Sequence, residues 1–254
     1  MLLPIFKKII NNIIKLSGYE IVLAKKSDPI VSQNQEFIEI YNLCKPYTMT
    51  SRERMYSLYL SIKYIIKAGI PGDFVECGVW KGGNTMLISY ILQNLGITNR
   101  KIYLYDTFEG MSKPTEVDLK TSKKEGSVFN QWQKQNKDNY NTWCYAGIDE
   151  VKQNMFKTGY PQENIKFIQG KVEDTIPNNL PNQIALLRLD TDWYESTKHE
   201  LIHMFPILLV NGVLIIDDYG AWKGAKKAVD EYFYNKNILF NRIDDTGYIA
   251  IKTK

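Results

Sequence analysis

The amino-acid sequence predicts an α/β fold, a doubly wound and mostly parallel sheet with helices on both faces. From residue 73 onward, short apolar segments alternate with segments of helical periodicity, which is the pattern of chains that build parallel sheets. Residues 212–216 are almost purely apolar, as expected for a strand in the middle of such a sheet. The chain has 254 residues, enough for one large domain with a modest extension.

The individual elements follow from the same patterns. Seven strands are predicted, at residues 73–77, 101–105, 165–169, 184–189, 212–216, 239–243 and 248–251. Helices are predicted at residues 51–69, 86–92, 148–156, 195–209 and 223–234. Ser51 is the expected N-terminal cap of the first of these helices, because its hydroxyl can accept from a free backbone N–H.

Residues 1–50 are predicted to form an N-terminal amphipathic helix and a polar linker, ahead of a domain at residues 51–254. Apolar residues from Leu2 to Leu16 recur at helical spacing, but lysines and asparagines interrupt them too often for a transmembrane span. Such a helix either docks on the protein body or on a dimer partner, or lies on a membrane surface. We expect a homo-oligomer, with peripheral membrane contact as the alternative.

Charge and cysteine content narrow the class of protein. The formal net charge of +4 arises from 32 basic and 28 acidic residues, too small an excess to indicate a nucleic-acid partner. The three cysteines are widely spaced and suit reduced thiols, so a cytoplasmic protein is expected. Residues 110–146 are polar with scattered aromatics, and we interpret this long connection as a lid over a site.

A glycine-rich turn follows the first predicted strand, and Asp106 ends the second. Gly78, Gly82 and Gly83 let the backbone approach a ligand closely, although such turns also merely join strands to helices. The spacing differs from the G-x-G-x-x-G of dinucleotide sites. A carboxylate at Asp106 can accept both hydroxyls of a ribose. Together the two features favour nucleoside binding.

Pairs of aspartates end two neighbouring strands. Asp190 and Asp192 follow residues 184–189, and Asp217 and Asp218 follow residues 212–216. Four carboxylates at one edge repel one another unless a cation or a shared proton compensates, and such oxygen ligands suit Mg²⁺ or Ca²⁺. Helix capping is the alternative, but it accounts for one aspartate per helix and not for two.

Four motifs in order resemble the macrocin O-methyltransferase family, whose members include sugar-modifying enzymes of macrolide and aminocoumarin pathways. They lie at residues 70–80, 105–111, 189–197 and 212–219, so the resemblance covers about residues 48–235. The resemblance implies a class I methyltransferase fold with a Rossmann-like seven-stranded sheet. It also implies S-adenosylmethionine as cofactor, dependence on magnesium, and methylation of sugar hydroxyls.

The resemblance also assigns roles to individual residues. The methionine part of the cofactor is expected near Thr48, Met49, Thr50, Glu76, Gly78, Gly82, Gly83 and Asn84. Asp106 is expected at the ribose, and the adenine is expected beside Gly170, Val172, Glu173 and Asp174. The implied metal ligands are Asp190, Asp217 and Asp218, with Asp192 as general base. Which of Asp190 and Asp192 binds the metal and which takes the proton stays open.

The predicted function is therefore magnesium-dependent methyl transfer to a hydroxyl of a glycan, a nucleotide sugar or a glycosylated natural product. A small phenol or catechol is the alternative acceptor, because the same metal device works on both. An NAD(P)-dependent oxidoreductase on the same kind of sheet is the alternative enzyme class. A nucleoside-binding interaction protein is the nonenzymatic alternative.

Overall fold

The structure, a computed structural model, describes residues 29–118 and 128–254. The predicted N-terminal amphipathic helix lies outside the described residues. The contacts divide the chain into two compact units, Met1–Asn34 and Gln35–Lys254. Residues 35–50, which the sequence analysis assigned to the linker, therefore belong to the second unit. None of the helices within the described ranges is long and apolar enough to cross a membrane.

The described helices and strands are as follows. The first unit contributes helix α1 (Pro29–Gln33). The helices of the second unit are α2 (Gln35–Cys44), α3 (Arg52–Lys67), α4 (Gly83–Asn94), α5 (Val128–Gln135), α6 (Ile148–Phe156), α7 (Val172–Thr175), α8 (Tyr194–Met204) and α9 (Lys223–Phe233). The strands are β1 (Asp73–Cys77), β2 (Ile102–Asp106), β3 (Ile165–Gln169), β4 (Ile184–Leu189), β5 (Leu208–Ile216), β6 (Asn241–Arg242) and β7 (Tyr248–Ile251). Short 3-10 helices lie at Lys45–Tyr47 and Gln162–Asn164.

The seven strands form one sheet in the order β3-β2-β1-β4-β5-β7-β6, which confirms the predicted α/β fold class. Strands β1 to β5 pair in parallel, while β7 runs antiparallel to both β5 and β6. Because β1, β4 and β5 are parallel neighbours, the residues that follow their last positions meet at one edge of the sheet. Gly78, Asp190 and Asp217 are those residues.

Alternate residues of the central strands face different helices. Val75 and Cys77 of β1 pack in a cluster with Leu201 of α8 and Val229 of α9. On the next position, Glu76 points to the opposite side, where Asn84 at the start of α4 donates to it. Burial of each large apolar side chain contributes about 1.5–3 kcal/mol. Helices therefore cover both faces, as predicted.

The boundaries of several elements differ from the predicted ones. Helix α8 ends at Met204 and β5 already begins at Leu208, whereas the sequence predicted a helix to residue 209 and a strand from residue 212. Periodicity does not separate helix from strand within a continuous apolar run, and pairing of Leu208 with Ile184 decides the conformation. The strand predicted at 239–243 shortens to Asn241–Arg242.

The caps of α3 follow the sequence signals. The Ser51 side chain accepts a hydrogen bond from the Arg54 backbone N–H at 3.1 Å, as predicted. The helix ends at Lys67, and Gly69 adopts a left-handed φ of 66° two residues later. This helix fixes the position of residues 48–50, which precede it at the edge of the sheet.

Candidate active site

A cavity of about 350 Å³ lies at the carboxyl edge of the sheet. Its lining comes from segments that follow β1, β2, β3, β4 and β5, together with residues 48–50 and part of the predicted lid. The predicted site residues that line it are Thr48, Met49, Thr50, Gly78, Asn84, Asp106, Gly170, Val172, Glu173, Asp190, Asp192, Asp217 and Asp218. Glu76, Gly82, Gly83 and Asp174 are not among the lining residues.

The turn after β1 requires glycine at two positions. Gly78 has a φ of 80°, and a Cβ there would overlap the backbone carbonyl of Asp190. A Cβ at Gly83 would come within 2.6 Å of the Thr48 side chain. The missing side chains thus allow β4 and residues 47–48 to approach this turn closely.

Asp106 organises the same turn. Its Oδ2 accepts from the backbone N–H groups of Val79 at 2.7 Å and Trp80 at 3.1 Å, and its Oδ1 accepts from Phe108 at 2.8 Å. Burial raises the pKa of Asp106, and the hydrogen bond from Phe108 is the largest effect that opposes the rise. The Thr107 hydroxyl lies 3.4 Å from Oδ1, but its one hydrogen has a nearer acceptor in the carbonyl oxygen of Gly110 at 2.9 Å. Because each carboxylate oxygen can accept about two hydrogen bonds, Oδ1 retains capacity for a ligand hydroxyl.

Thr50 connects the segment before α3 to the sheet. Its Oγ1 accepts from Asn84 Nδ2 at 3.0 Å and from Arg188 at 3.1 Å. The Thr50 hydroxyl uses both of its acceptor positions in this way, so its hydrogen is available for donation into the cavity that it lines. Asn84 in turn donates to the fully buried Glu76 at 3.1 Å.

The four aspartates predicted from the strand ends come together. One carboxylate oxygen from each of Asp190, Asp217 and Asp218 lies within 4.8 Å of the others. The Oδ2 atom of Asp218 is buried and finds no hydrogen-bond partner among the residues that the structure describes. Neither α8 nor α9 has a side-chain cap at its N-cap residue, Trp193 or Trp222, so the capping alternative does not account for these aspartates.

Two arginines that were not predicted as site residues pair with these carboxylates. Arg188, which is 1% exposed, forms ion pairs with Glu76 at 2.6 Å, with Asp190 at 2.8 Å and with Asp217. Arg54 of α3 pairs with the other oxygen of Asp217 and with Asp244 at 2.9 Å. A charged residue within the apolar run of β4 was the available signal for Arg188, because a buried arginine requires acidic partners.

Burial, with the charges of neighbouring carboxylates, raises the pKa values of three of the four aspartates. Burial raises the pKa of Asp192 to about 8, and the charge of Asp190 adds to the shift. Burial raises the pKa of Asp217 to about 7, against the opposing charge of Arg188. The pKa of Asp218 lies well above its ordinary value through burial and the charges of Asp192 and Asp190. The guanidinium groups therefore compensate this negative charge only in part.

Asp192 has two further features. Its backbone adopts a left-handed φ of 66°, a conformation that aspartate tolerates better than most residues. The indole Nε1–H of Trp222 donates to Asp192 Oδ1. Trp222 was not predicted as a site residue, because its role depends on a contact across 30 positions of sequence.

The described parts of the predicted lid form one wall of the cavity. Gly110, Met111, Ser112 and Cys144 line it. Among the lid aromatics, Trp143 packs on Trp193 and Trp222. The half-buried Trp132 donates through Nε1 to the carbonyl oxygen of Met111 at 2.8 Å, whereas Phe129, Tyr140 and Tyr145 are exposed. Helix α5 within this segment was not predicted.

The fold and cavity together define the class of protein. A sheet of the order β3-β2-β1-β4-β5-β7-β6 with an antiparallel β7 and a cavity at its carboxyl edge is that of a class I S-adenosylmethionine-dependent methyltransferase.

Comparison with known proteins identifies the family. The profile of the family described as macrocin-O-methyltransferase (TylF) matches residues 41–250. The chain is similar to the 8-demethyl-8-(2,3-dimethoxy-alpha-L-rhamnosyl)-tetracenomycin-C 4'-O-methyltransferase of Streptomyces olivaceus, with 30% identity over 79% of this chain and 74% of the relative. It is also similar to the demethyldecarbamoylnovobiocin O-methyltransferase of Streptomyces niveus, with 31% identity over 73% of this chain and 67% of the relative.

A solved structure agrees with this result. The O-methyltransferase NovP superposes with a TM-score of 0.71 and 27% identity, covering 82% of this chain and 83% of NovP. The chain therefore belongs to the macrocin-O-methyltransferase family and is an S-adenosylmethionine-dependent O-methyltransferase. The family assignment contradicts both alternatives, the NAD(P)-dependent oxidoreductase and the nonenzymatic nucleoside-binding protein.

Proposed function

We propose that this enzyme transfers a methyl group from S-adenosylmethionine to a sugar hydroxyl with the help of a bound divalent cation. The observation that carries the proposal is the group of Asp190, Asp217 and Asp218 beside Asp192, on the wall of the cavity of about 350 Å³. Carboxylates at this place could hold a cation and accept a proton beside a bound methyl donor, which are the two tasks that methylation of a hydroxyl requires.

The residues present fit S-adenosylmethionine. Asp106 Oδ1 retains an acceptor position for a ribose hydroxyl, and Gly170, Val172 and Glu173 line the cavity beyond it, where the adenine is proposed to lie. At the other end, the Thr50 hydroxyl can donate to the carboxylate of the methionine part. Glu76 does not line the cavity, but it accepts a hydrogen bond from Asn84 and so holds that side chain in position.

The glycine turn and Met49 complete the proposed cofactor site. Gly78 lines the cavity, and its lack of a side chain keeps the end of β1 against β4. Gly82 is the N-cap of α4 with a left-handed φ of 91°, and Gly83, the first residue of α4, allows residues 47–48 to approach. Met49 is 60% exposed, so its thioether is available to cover a bound cofactor.

The donor set also fits Mg²⁺. Asp190, Asp217 and Asp218 offer only carboxylate oxygens, the ligands that Mg²⁺ prefers. Asp218 Oδ2 is an unpartnered buried oxygen within the described part of the chain. Burial raises the pKa values of Asp217 and Asp218 because it disfavours their charged forms, and a bound cation would stabilise those forms. A cation held there would act as a Lewis acid that lowers the pKa of a nearby hydroxyl group.

The protein's own residues then supply alignment and base catalysis. The acceptor oxygen attacks the methyl carbon, the carbon–sulfur bond breaks, and its electron pair stays on sulfur, which leaves S-adenosylhomocysteine. Asp192 accepts the hydroxyl proton, a role that contributes about 10²–10⁴-fold in rate. The cavity walls hold donor and acceptor in line, and the lid residues Met111 and Ser112 limit access of water.

The relatives support a sugar as the acceptor. The name of the Streptomyces olivaceus relative specifies 4'-O-methylation of a rhamnosyl compound. The name of another relative, the mycinamicin III 3''-O-methyltransferase of Micromonospora griseorubida, likewise specifies O-methylation at one position of its acceptor. That relative is 27% identical over 91% of this chain and 87% of its own length.

Isothermal titration with S-adenosylhomocysteine, S-adenosylmethionine and NAD, with and without Mg²⁺, tests the cofactor. We expect micromolar binding of the first two and none of NAD. Methyl transfer from labelled S-adenosylmethionine to demethyldecarbamoylnovobiocin, rhamnosides, nucleotide sugars and catechol then tests the acceptor. Turnover of catechol alone would contradict the sugar proposal and support a phenol.

The cation is tested with Asp218→Asn. This change removes a proposed ligand charge without breaking any of the ion pairs of Arg54 and Arg188. We expect the Mg²⁺ concentration for half-maximal activity to rise at least about tenfold, as for loss of a charged ligand contact of about 1.5–3 kcal/mol, with unchanged affinity for S-adenosylhomocysteine. The matched control is Asp230→Asn on the exposed face of α9. Full activity of the wild-type enzyme in EDTA would refute the cation.

A further inference from the structure

Three tryptophans from distant parts of the sequence form a cluster behind the aspartates. The Trp193 and Trp222 rings pack edge to face with centroids 5.0 Å apart, and Trp143 contacts both at 5.9 and 6.1 Å. Trp193 and Trp222 are 3% and 7% exposed. Close packing on several sides restricts the rotamers of these rings.

The Trp222 indole presents its single donor to the candidate base. Its Nε1–H donates to Asp192 Oδ1, and an indole nitrogen can donate but not accept. Since the ring is held by Trp143 and Trp193, the hydrogen occupies a fixed point relative to β4 and α9. Asp192 itself lies in a turn with a left-handed φ of 66°, so its carboxylate gains its direction from this contact as well as from its backbone.

The same cluster supports the lid. Trp143 belongs to the lid, and Trp193 Nε1 donates to the carbonyl oxygen of Ser112 at 3.0 Å, a lid residue that lines the cavity. Met111, which also lines the cavity, packs against the cluster. The same three tryptophan rings therefore support two parts of the cavity, the lid wall at Met111 and Ser112 and the carboxylate of Asp192.

We infer that Trp222 is a positioning residue, whose indole N–H holds Asp192 Oδ1 so that the second carboxylate oxygen receives the proton of the acceptor hydroxyl. This inference rests on the proposed function for the role of Asp192, but the hydrogen bond itself does not. A neutral donor on one oxygen orients the carboxylate without neutralising it, as a cationic partner would do. Because the lid packs on the same rings, acceptor binding and the orientation of Asp192 are coupled through this cluster.

The hydrogen bond is tested first, in the absence of any acceptor. The protein has 5 tryptophans, so ¹⁵N-labelled indole gives a small set of Nε1–H signals in a correlation spectrum. Trp222→Phe assigns the signal of Trp222 by its loss. We expect that signal to move upfield and to exchange faster with solvent in Asp192→Ala, but not in the control Asp230→Ala. An unchanged signal in Asp192→Ala overturns the inference whatever the acceptor proves to be.

The consequence for catalysis is tested with Trp222→Phe, which keeps an aromatic ring and removes the donor. With demethyldecarbamoylnovobiocin as acceptor, or whichever acceptor of the screen is methylated, we expect kcat to fall about 10–100-fold, as for a misplaced catalytic group. The KM for S-adenosylmethionine should stay within about threefold. Trp143→Phe disturbs the same cluster from the lid side without removing the Asp192 contact, and we expect it to act mainly on the KM for the acceptor.

An equal fall of kcat in Trp143→Phe and Trp222→Phe would show that only packing matters and would overturn the inference. Failure of the proposed function has a different signature. In that case the wild-type enzyme methylates no acceptor of the screen, while the indole signal still reports whether Trp222 holds Asp192.

Discussion

Replacement of Arg188 by methionine should lower the free energy of unfolding, because the carboxylates around Arg188 lose their cationic partner. Arg188 is 1% exposed and pairs with Glu76, Asp190 and Asp217. Asp217 keeps a partner in the variant because Arg54 pairs with its other oxygen. Among the described residues, the fully buried Glu76 keeps only Asn84 as a hydrogen-bond partner, at 3.1 Å. The free-energy loss should therefore be shared between Glu76 and the carboxylates of Asp190 and Asp217, and Glu76 should contribute a part that depends on pH.

The expected loss is about 3–5 kcal/mol of unfolding free energy, the usual cost of leaving a buried charge without its partner. For a unit of this size it corresponds to a decrease in Tm of roughly 6–20 °C, at about 2–4 °C for each kcal/mol. The loss also depends on pH. The pKa of Glu76 is about 7 even beside Arg188, and removal of the guanidinium raises it further.

A carboxyl whose folded pKa is raised retains its full stability below the unfolded pKa, near 4.3, and loses it as pH rises through the folded pKa. The deficit of Arg188→Met should therefore be largest near pH 8 and smaller at pH 5. Urea denaturation followed by circular dichroism, in EDTA at both pH values, measures it. The double variant Arg188→Met/Glu76→Gln removes the charge of Glu76 and should recover about 1 kcal/mol at pH 8, the cost of protonating Glu76 one pH unit above its folded pKa of about 7. A loss below about 1 kcal/mol at pH 8, or no recovery in the double variant, would refute this reasoning.

Two further predictions follow from the described contacts. Glu200 is fully buried, its Oε1 has no hydrogen-bond partner among the described residues, and burial raises its pKa well above the ordinary value. Glu200→Gln should therefore raise Tm at pH 8. The gain should disappear below about pH 4.5, where the unfolded carboxyl is also protonated. Thermal scans across pH measure this, and an equal gain at pH 4 would contradict the prediction. Asp106→Asn places an amide among three backbone donors, from Val79, Trp80 and Phe108, and should weaken S-adenosylhomocysteine binding about 10–100-fold, as for loss of charge-assisted hydrogen bonds of about 1.5–3 kcal/mol. Isothermal titration measures it, with Asp149→Asn in the exposed first turn of α6 as control.

Much of the site was predictable because it is built at the ends of parallel strands. The carboxyl ends of parallel strands lie at one edge of a sheet, so the aspartates after β4 and β5 could be associated from sequence alone, as could the glycine turn after β1 and Asp106. The structure brings the four aspartates, Asp106 and Gly78 to one cavity. Their roles toward the cofactor, the cation and the proton stay predictions.

The missed residues share one property, a partner far away in sequence. Arg54 meets Asp217 across 163 positions, and Arg188 meets Glu76 across 112. A single charged residue in a helix or strand does not indicate which distant charge compensates it. The length and polarity of residues 110–146 predicted a lid. Nothing in the sequence predicted that this lid would pack on Trp193 and Trp222.

The sequence by itself determined the periodicity of each element and the residue types at each strand end, since these depend on local backbone preference and on the alternation of apolar residues. It thereby fixed the fold class and the set of four aspartates. Only the tertiary structure decided where β5 begins, how Arg54 and Arg188 share the carboxylates, and which indole contacts Asp192. Those outcomes depend on the free energy of burying charge and closely packed rings together, which arises only when distant segments meet.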